Sequence, residues 1–158
     1  MCVRLSCRAR APDGLADRRE PALEALAPAD TLVLDEKQPM PAVHHAKVAS
    51  EPMQGGAAYQ TLVGDREGST PIRVGVQTSP PGYKTPLHSH PYMETITVLD
   101  GQGEAWLEGG TELVGMQPGV TLVMPANVRH WFRASGDRPL VTLGVHASPH
   151  RIVNVHEA

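Results

Sequence analysis

Cysteine is almost missing from this 158-residue sequence: Cys2 and Cys7 are the only two, both at the very start. No disulfide framework is implied, and the paired Cys/His spacing of a zinc ribbon is missing too. No apolar run approaches the ~18 residues that a bilayer span requires. The opening Met-Cys-Val-Arg-Leu-Ser-Cys-Arg lacks the continuous apolar stretch of a secretory signal. A cytoplasmic protein without a membrane partner is the expectation. Basic excess is lacking as well: Lys+Arg 14 against Asp+Glu 17 leaves a net charge of -3, which provides no electrostatic footprint for nucleic acid. Residues 1–57 hold no evident DNA-binding helix pair. A phosphate-cradling glycine loop and a Gly-x-Ser-x-Gly elbow are also absent, which removes nucleotide-dependent and serine-hydrolase chemistry.

What is present is punctuation. Pro 15 and Gly 15 are high for a helical protein and fit an all-β chain full of turns. The length suits one domain with a sizeable core. Residues 1–30 carry Arg4, Arg8, Arg10, Arg18 and Arg19 with little periodic hydrophobicity, and read as a poorly ordered N-terminal extension with one short helix around Ala22–Leu26. Residues 31–158 form the domain, with its core in 58–147. Thr31–Leu34 is a short strand candidate, and a Pro- and Gly-rich loop follows. From Ala58 onward, short strands recur: Tyr59–Gly64, Ile72–Ser79, Met93–Leu99, Glu104–Glu108, Glu112–Val114, Val120–Met124, Val128–Ala134 and Leu140–His146. Glu108-Gly-Gly-Thr111 reads as a tight hairpin turn, and Ile152–Val155 as a last strand covering an edge, within the subunit or across a dimer. Such a series predicts a sandwich or barrel.

The chemistry concentrates in Gly82-Tyr-Lys-Thr-Pro-Leu-His88-Ser-His90-Pro-Tyr-Met-Glu94, with His130 on a distant strand. Side chains alternate faces along a strand, so His88, His90 and Glu94 share a parity. Imidazole and carboxylate suit Fe, Mn, Ni, Zn and Cu, so one divalent metal ion is the expected cofactor.

The same residues resemble the two motifs of the cupin superfamily. The first runs Gly, five residues, His-x-His, three or four residues, Glu, six residues, Gly; Gly82, His88, His90, Glu94 and Gly101 meet every term. The second runs Gly, five residues, Pro-x-Gly, two residues, His, three residues, Asn. Gly119, Pro125 and His130 fit it, with Asn127 for the glycine and Ala134 for the final asparagine. Asn127 is a mild departure, because asparagine tolerates the left-handed backbone of a glycine turn. Ala134 replaces a residue that does not bind metal. The resemblance implies a single-domain double-stranded β-helix (jelly-roll) barrel, usually dimeric, with a metal held inside by His88, His90, Glu94 and His130.

Fold alone does not name an activity. Four protein ligands around an octahedral ion leave two adjacent positions, which suit a substrate chelating through two oxygens, such as an enol, a diketone or a catechol. A dioxygenase-type oxidoreductase is the first expectation; a non-oxidative isomerase or lyase is the second, and a ligand sensor without turnover the third. Arg73, Gln77, Tyr83, Tyr92, Trp106, Arg129, Phe132 and His146 are candidates for the pocket. Phe132 shares parity with His130, and an internal Arg73 would favour an anionic substrate. Met93, Met116 and Met124 read as packing, His44-His45 as a solvated pair, and His150 and His156 as tail residues without a partner visible in sequence.

Overall fold

The computed structural model describes residues 42–65 and 67–157. The helix expected around Ala22–Leu26 and the strand expected at Thr31–Leu34 lie outside the described residues. Eleven strands follow one another: β1 (Glu51–Pro52), β2 (Ala58–Val63), β3 (Arg73–Ser79), β4 (His88–Ser89), β5 (Glu94–Asp100), β6 (Gly103–Leu107), β7 (Val114–Met116), β8 (Thr121–Met124), β9 (His130–Ala134), β10 (Leu140–His146) and β11 (Asn154–Val155). Among the described residues only 3-10 turns at His45–Lys47 and Gln54–Gly56 interrupt them. Among the described residues no helix is long and apolar enough to cross a membrane.

The strands form two antiparallel sheets. One has the order β1-β2-β3-β10-β5-β8, the other β11-β4-β9-β6-β7. Consecutive strands repeatedly cross from one sheet to the other, and this crossing makes a jelly roll of what would otherwise be a meander. Alternation decides what fills the space between the sheets. Ile96 and Val98 of β5 point inward with Ala105, Met116, Met124, Phe132, Ala134 and Leu140, all at most 9% exposed. Thr95, Thr97 and Leu99 face outward, as their parity requires. Met116 and Met124 pack in this core, whereas Met93 does not: it is on the outward parity of β5 and is 48% exposed.

Turns sit where the punctuation placed them. Gly82, Gly101 and Gly119 all have positive φ, and Asn127, at φ 63, is the lone non-glycine residue to do so among the described residues. Gly101 is the most constrained: a Cβ there would stand 2.2 Å from the Pro139 carbonyl oxygen. The β6–β7 turn at Glu108–Gly110 closes with the Gly110 N–H donating to the Leu107 carbonyl at 3.0 Å. The strand after it is Val114–Met116, two residues later than the expected Glu112–Val114. The C-terminal strand β11 covers the β4 edge within the same chain, pairing Asn154 with Ser89 and Val155 with His88.

The outward face of the larger sheet carries no charge across its middle. Val74, Val145, Thr95 and Val123 line up across four strands, and Leu143, Thr97 and Thr121 form the next row.

Candidate metal centre

His88, His90, Glu94 and His130 converge between the two sheets, but not by the route that strand parity suggests. His88 lies on β4, in the smaller sheet, as the direct cross-strand neighbour of His130 on β9. After His90 the chain bends through Pro91-Tyr92-Met93 and enters the larger sheet, so Glu94 begins β5. The carboxylate therefore faces the imidazoles from the opposite sheet. A proline and a change of sheet replace the single strand that would have linked all three. Each of the four is buried, and their donor atoms lie within 4.8 Å of one another.

The tautomers follow from the hydrogen bonds. His88 Nδ1 meets the Pro86 carbonyl at 2.8 Å, His90 Nδ1 the Ile152 carbonyl at 2.5 Å, and His130 Nδ1 the Val128 carbonyl at 2.9 Å. A carbonyl can only accept, so each Nδ1 carries a proton, and in the neutral ring each Nε2 keeps its lone pair. Those lone pairs point at a carboxylate. His90 Nε2 is 3.0 Å and His130 Nε2 3.4 Å from Glu94 Oε2. Neither Glu94 Oε2 nor His130 Nε2 has a hydrogen-bond partner, although both are buried. Facing lone pairs need something positive between them. An ion with bonds of about 2.0–2.2 Å would place adjacent donors about 3 Å apart and opposite ones slightly over 4 Å. The donor set thus fits a divalent ion, and the three carbonyls are the outer contacts that orient imidazole ligands.

The electrostatics agree with an open competition between ion and proton. Burial pushes the His88 pKa down to about 4, against the Pro86 carbonyl and Glu94. Burial alone would raise the Glu94 pKa, but His130 and His90 hold the carboxyl well below the usual range. For His90 burial lowers and Glu94 raises, and the balance lies above the ordinary value.

A fifth histidine stands beside the four. His146 on β10 pairs across strands with Glu94, and its Nε2 is 3.5 Å from Glu94 Oε1. It differs from the others in that its Nδ1 has no partner, though buried. Burial takes its pKa down to about 4, even with Glu94 adjacent.

Above the donors opens a cavity of about 160 Å³. His88, His90, Glu94, His146, Gln77, Tyr83 and Phe132 all line it, with Thr85 and Thr142. Tyr92 holds a place behind the wall: its ring stacks on His90 at 5.3 Å, and its hydroxyl donates to the Ile152 carbonyl. Three candidates lie elsewhere. Trp106 faces outward as the cross-strand partner of Trp131, because the β6–β9 register pairs Ala105 with Phe132 on the inside. Trp106 lines a separate, more apolar cavity of about 240 Å³ on the far side of His130. Arg129 is on the surface in an ion pair with Glu108. Arg73 shares inward parity with Gln77, yet its guanidinium donates to Thr61 Oγ1 at 2.8 Å and the Asp65 carbonyl at 3.3 Å, and it does not line the cavity.

Tyr59, Arg151, Gly75 and Gly144 belong to the site without a motif that marks them. Gly75 and Gly144 are neighbours across β3 and β10. A Cβ on Gly75 would fall 2.2 Å from the Tyr59 ring, and Gly144 itself lines the cavity. Two strand-interior glycines side by side are the available signal, since such residues mark the close approach of another group. His44 and His45 are exposed, whereas His156 has a partner after all: its Nε2 meets Ser89 Oγ at 2.9 Å.

Comparison with known proteins places this geometry in context. A family profile for the cupin domain matches residues 75–146, which contain all four donors and His146. An auxin-binding protein, T92, of Nicotiana tabacum is 30% identical over 94 residues, or 54% of this chain; the chain spans half the length of that relative. Among solved structures, the polyketide cyclase RemF of Streptomyces resistomycificus superposes with a TM-score of 0.66 at 22% identity, covering 75% of this chain and 87% of its own. A cupin-like protein of Thermotoga maritima gives 0.59 at 26% identity, covering 66% and 79%. Lyases and an oxalate decarboxylase share the fold too. Two sheets rolled around a buried His/Glu cluster, the glycine turns that frame it and these matches lead to one statement: residues 75–146 of this chain are a cupin domain.

Proposed function

We propose that His88, His90, Glu94 and His130 hold one divalent cation, and that the chain is a metal-dependent enzyme moving protons on a small, enolisable, oxygen-bearing molecule, as an isomerase, lyase or cyclase does. The ion, when bound, supplies Lewis-acid polarisation of a substrate oxygen. The observation that carries the reading is a pair of unpartnered polar atoms. Tyr59 Oη and His146 Nδ1 are buried without hydrogen-bond partners, on side chains that line the cavity over the four donors. Buried polar atoms left unsatisfied are costly, and a bound oxygenated ligand satisfies both. His146 is the group within reach to accept a proton from a substrate carbon, and Tyr59 the one to donate to an oxygen. Gln77, Thr85 and Thr142 add neutral polar contacts. An oxygen-dependent reaction rests on the ligand set alone, whereas proton transfer also uses these two groups. That a polyketide cyclase shares the fold is in keeping with this choice.

The test uses hydroxyacetone in heavy water under nitrogen, with the protein carrying a divalent ion. Deuterium wash-in next to the carbonyl, followed by proton NMR, is the expected result, and His88→Ala abolishes it. Oxygen uptake in step with substrate loss, and none of the exchange under nitrogen, would move the chain to the dioxygenase class. Binding without either would make it a sensor.

The chain is further proposed to work as a homodimer joined through the uncharged outer face of the larger sheet. A face bearing Val, Leu and Thr but no charge, on a protein with 20% charged residues, meets its own copy without repulsion.

A further inference from the structure

Among the described residues the cavity wall contains one Arg or Lys, Arg151, and it comes from the C-terminal tail. Arg151 and Val153 of the tail line this cavity. The Arg151 guanidinium carbon lies 5.4 Å from the centre of the Tyr59 ring, over its face. No carboxylate among the described residues pairs with it. Glu94 is the only acidic residue in the wall among the described residues, and its carboxylate faces His90 and His130.

The tail around Arg151 is pinned. The next residue, Ile152, accepts the His90 Nδ1 proton on its carbonyl and donates its own N–H to Tyr92 Oη at 2.8 Å. Beyond it, β11 pairs with β4, the His156 N–H reaches the Leu87 carbonyl at 2.9 Å, and His156 Nε2 meets Ser89 Oγ. The segment that carries the cation is thus locked to a donor of the proposed metal centre. Arg73 is otherwise engaged, so the role an internal arginine would play passes to Arg151.

We infer that Arg151 is a specificity-determining residue that selects a substrate bearing a carboxylate, held at the tail side of the cavity while the substrate's carbonyl or enol end faces His88, His90, Glu94 and His130. This rests on the reading of that cavity as the substrate site. Guanidinium is always charged and presents a donor fork that matches a carboxylate, and Tyr59 beneath keeps the planar group in place.

The experiment compares levulinate, a ketone with a carboxylate arm, with 4-oxopentanamide, its uncharged counterpart. Binding of each to zinc-loaded full-length protein is measured by titration calorimetry, and zinc content is read on the same samples. The expected result is levulinate tighter than the amide by about tenfold, as a charge-assisted contact provides. In Arg151→Gln the difference disappears while zinc content stays unchanged, and Arg151→Lys restores part of the preference. Equal binding of acid and amide to the unaltered protein, no binding of either at millimolar concentration, or an equal loss of both in Arg151→Gln would each overturn the proposal. If the unaltered protein retains no zinc, the metal reading fails instead, and the acid-to-amide ratio on the ion-free protein decides the role of Arg151.

Discussion

At the residue scale the donor set is held in tension. Three imidazoles present lone pairs to one carboxylate inside a buried space, an arrangement that a cation or added protons must relieve. In metal-stripped protein this has a signed consequence. His88 and His146 titrate near 4 when folded and near 6.5 when unfolded. Between those values the unfolded chain binds more protons, so stability is full above about pH 6.5 and drains away as the pH falls toward 4. His90, raised instead, works the other way: its contribution is present below about 6.5 and is lost as pH rises through its folded value. Two groups outweigh one. Melting followed by circular dichroism across this window is expected to show a falling Tm on acidification, with a shallower slope in His146→Gln. A slope unchanged by that substitution would contradict the assignment.

At the element scale the turns and the short strands matter most. Gly101 has φ 79 and a Cβ site 2.2 Å from the Pro139 carbonyl, whereas Gly82, also at φ 79, has open space around its Cβ site. Gly101→Ala is expected to cost well over the ~1 kcal/mol that a left-handed alanine costs by itself, and Gly82→Ala only about that. Urea unfolding of both variants checks the order; equal losses would refute it. These same glycines were legible in the sequence because their spacing and the strands around them agree. Leu140–His146 emerged at the expected bounds, and others within one or two residues. Two elements were not legible. Strands β1 and β4 are two residues long, too short to alternate, and β4 ends two residues before Pro91, where the chain leaves one sheet for the other. That crossing defeated the parity argument for Glu94 while leaving the convergence intact. Trp106 was misplaced for a related reason: parity within β6 is visible in sequence, but its register against β9 is not. Arg151 and Tyr59 join the site through tail docking and two missing side chains, Gly75 and Gly144, which only tertiary structure brings together.

At the scale of the whole molecule, one feature of the barrel is its wide uncharged flank. If that flank is the contact between two copies, a charge placed in its middle repels itself across the two-fold axis. Thr97→Arg is expected to sediment as a monomer with metal content unchanged, while the unaltered chain sediments as a dimer. A monomeric unaltered chain would end the dimer proposal without touching the site. The interior works differently: an ion held by four donors drawn from both sheets would tie the roll together. An ion bound to the folded state alone stabilises it by mass action, and under the proposed metal binding the layered fold and the site become one energetic unit.

The most direct test of the central claim is zinc binding counted per chain, by equilibrium dialysis and atomic absorption, on the unaltered protein and on His130→Ala. One ion per chain, held at micromolar zinc and lost in the variant while its circular dichroism remains that of folded protein, is the predicted result. No stoichiometric ion in the unaltered chain, or equal retention by His130→Ala, would contradict it.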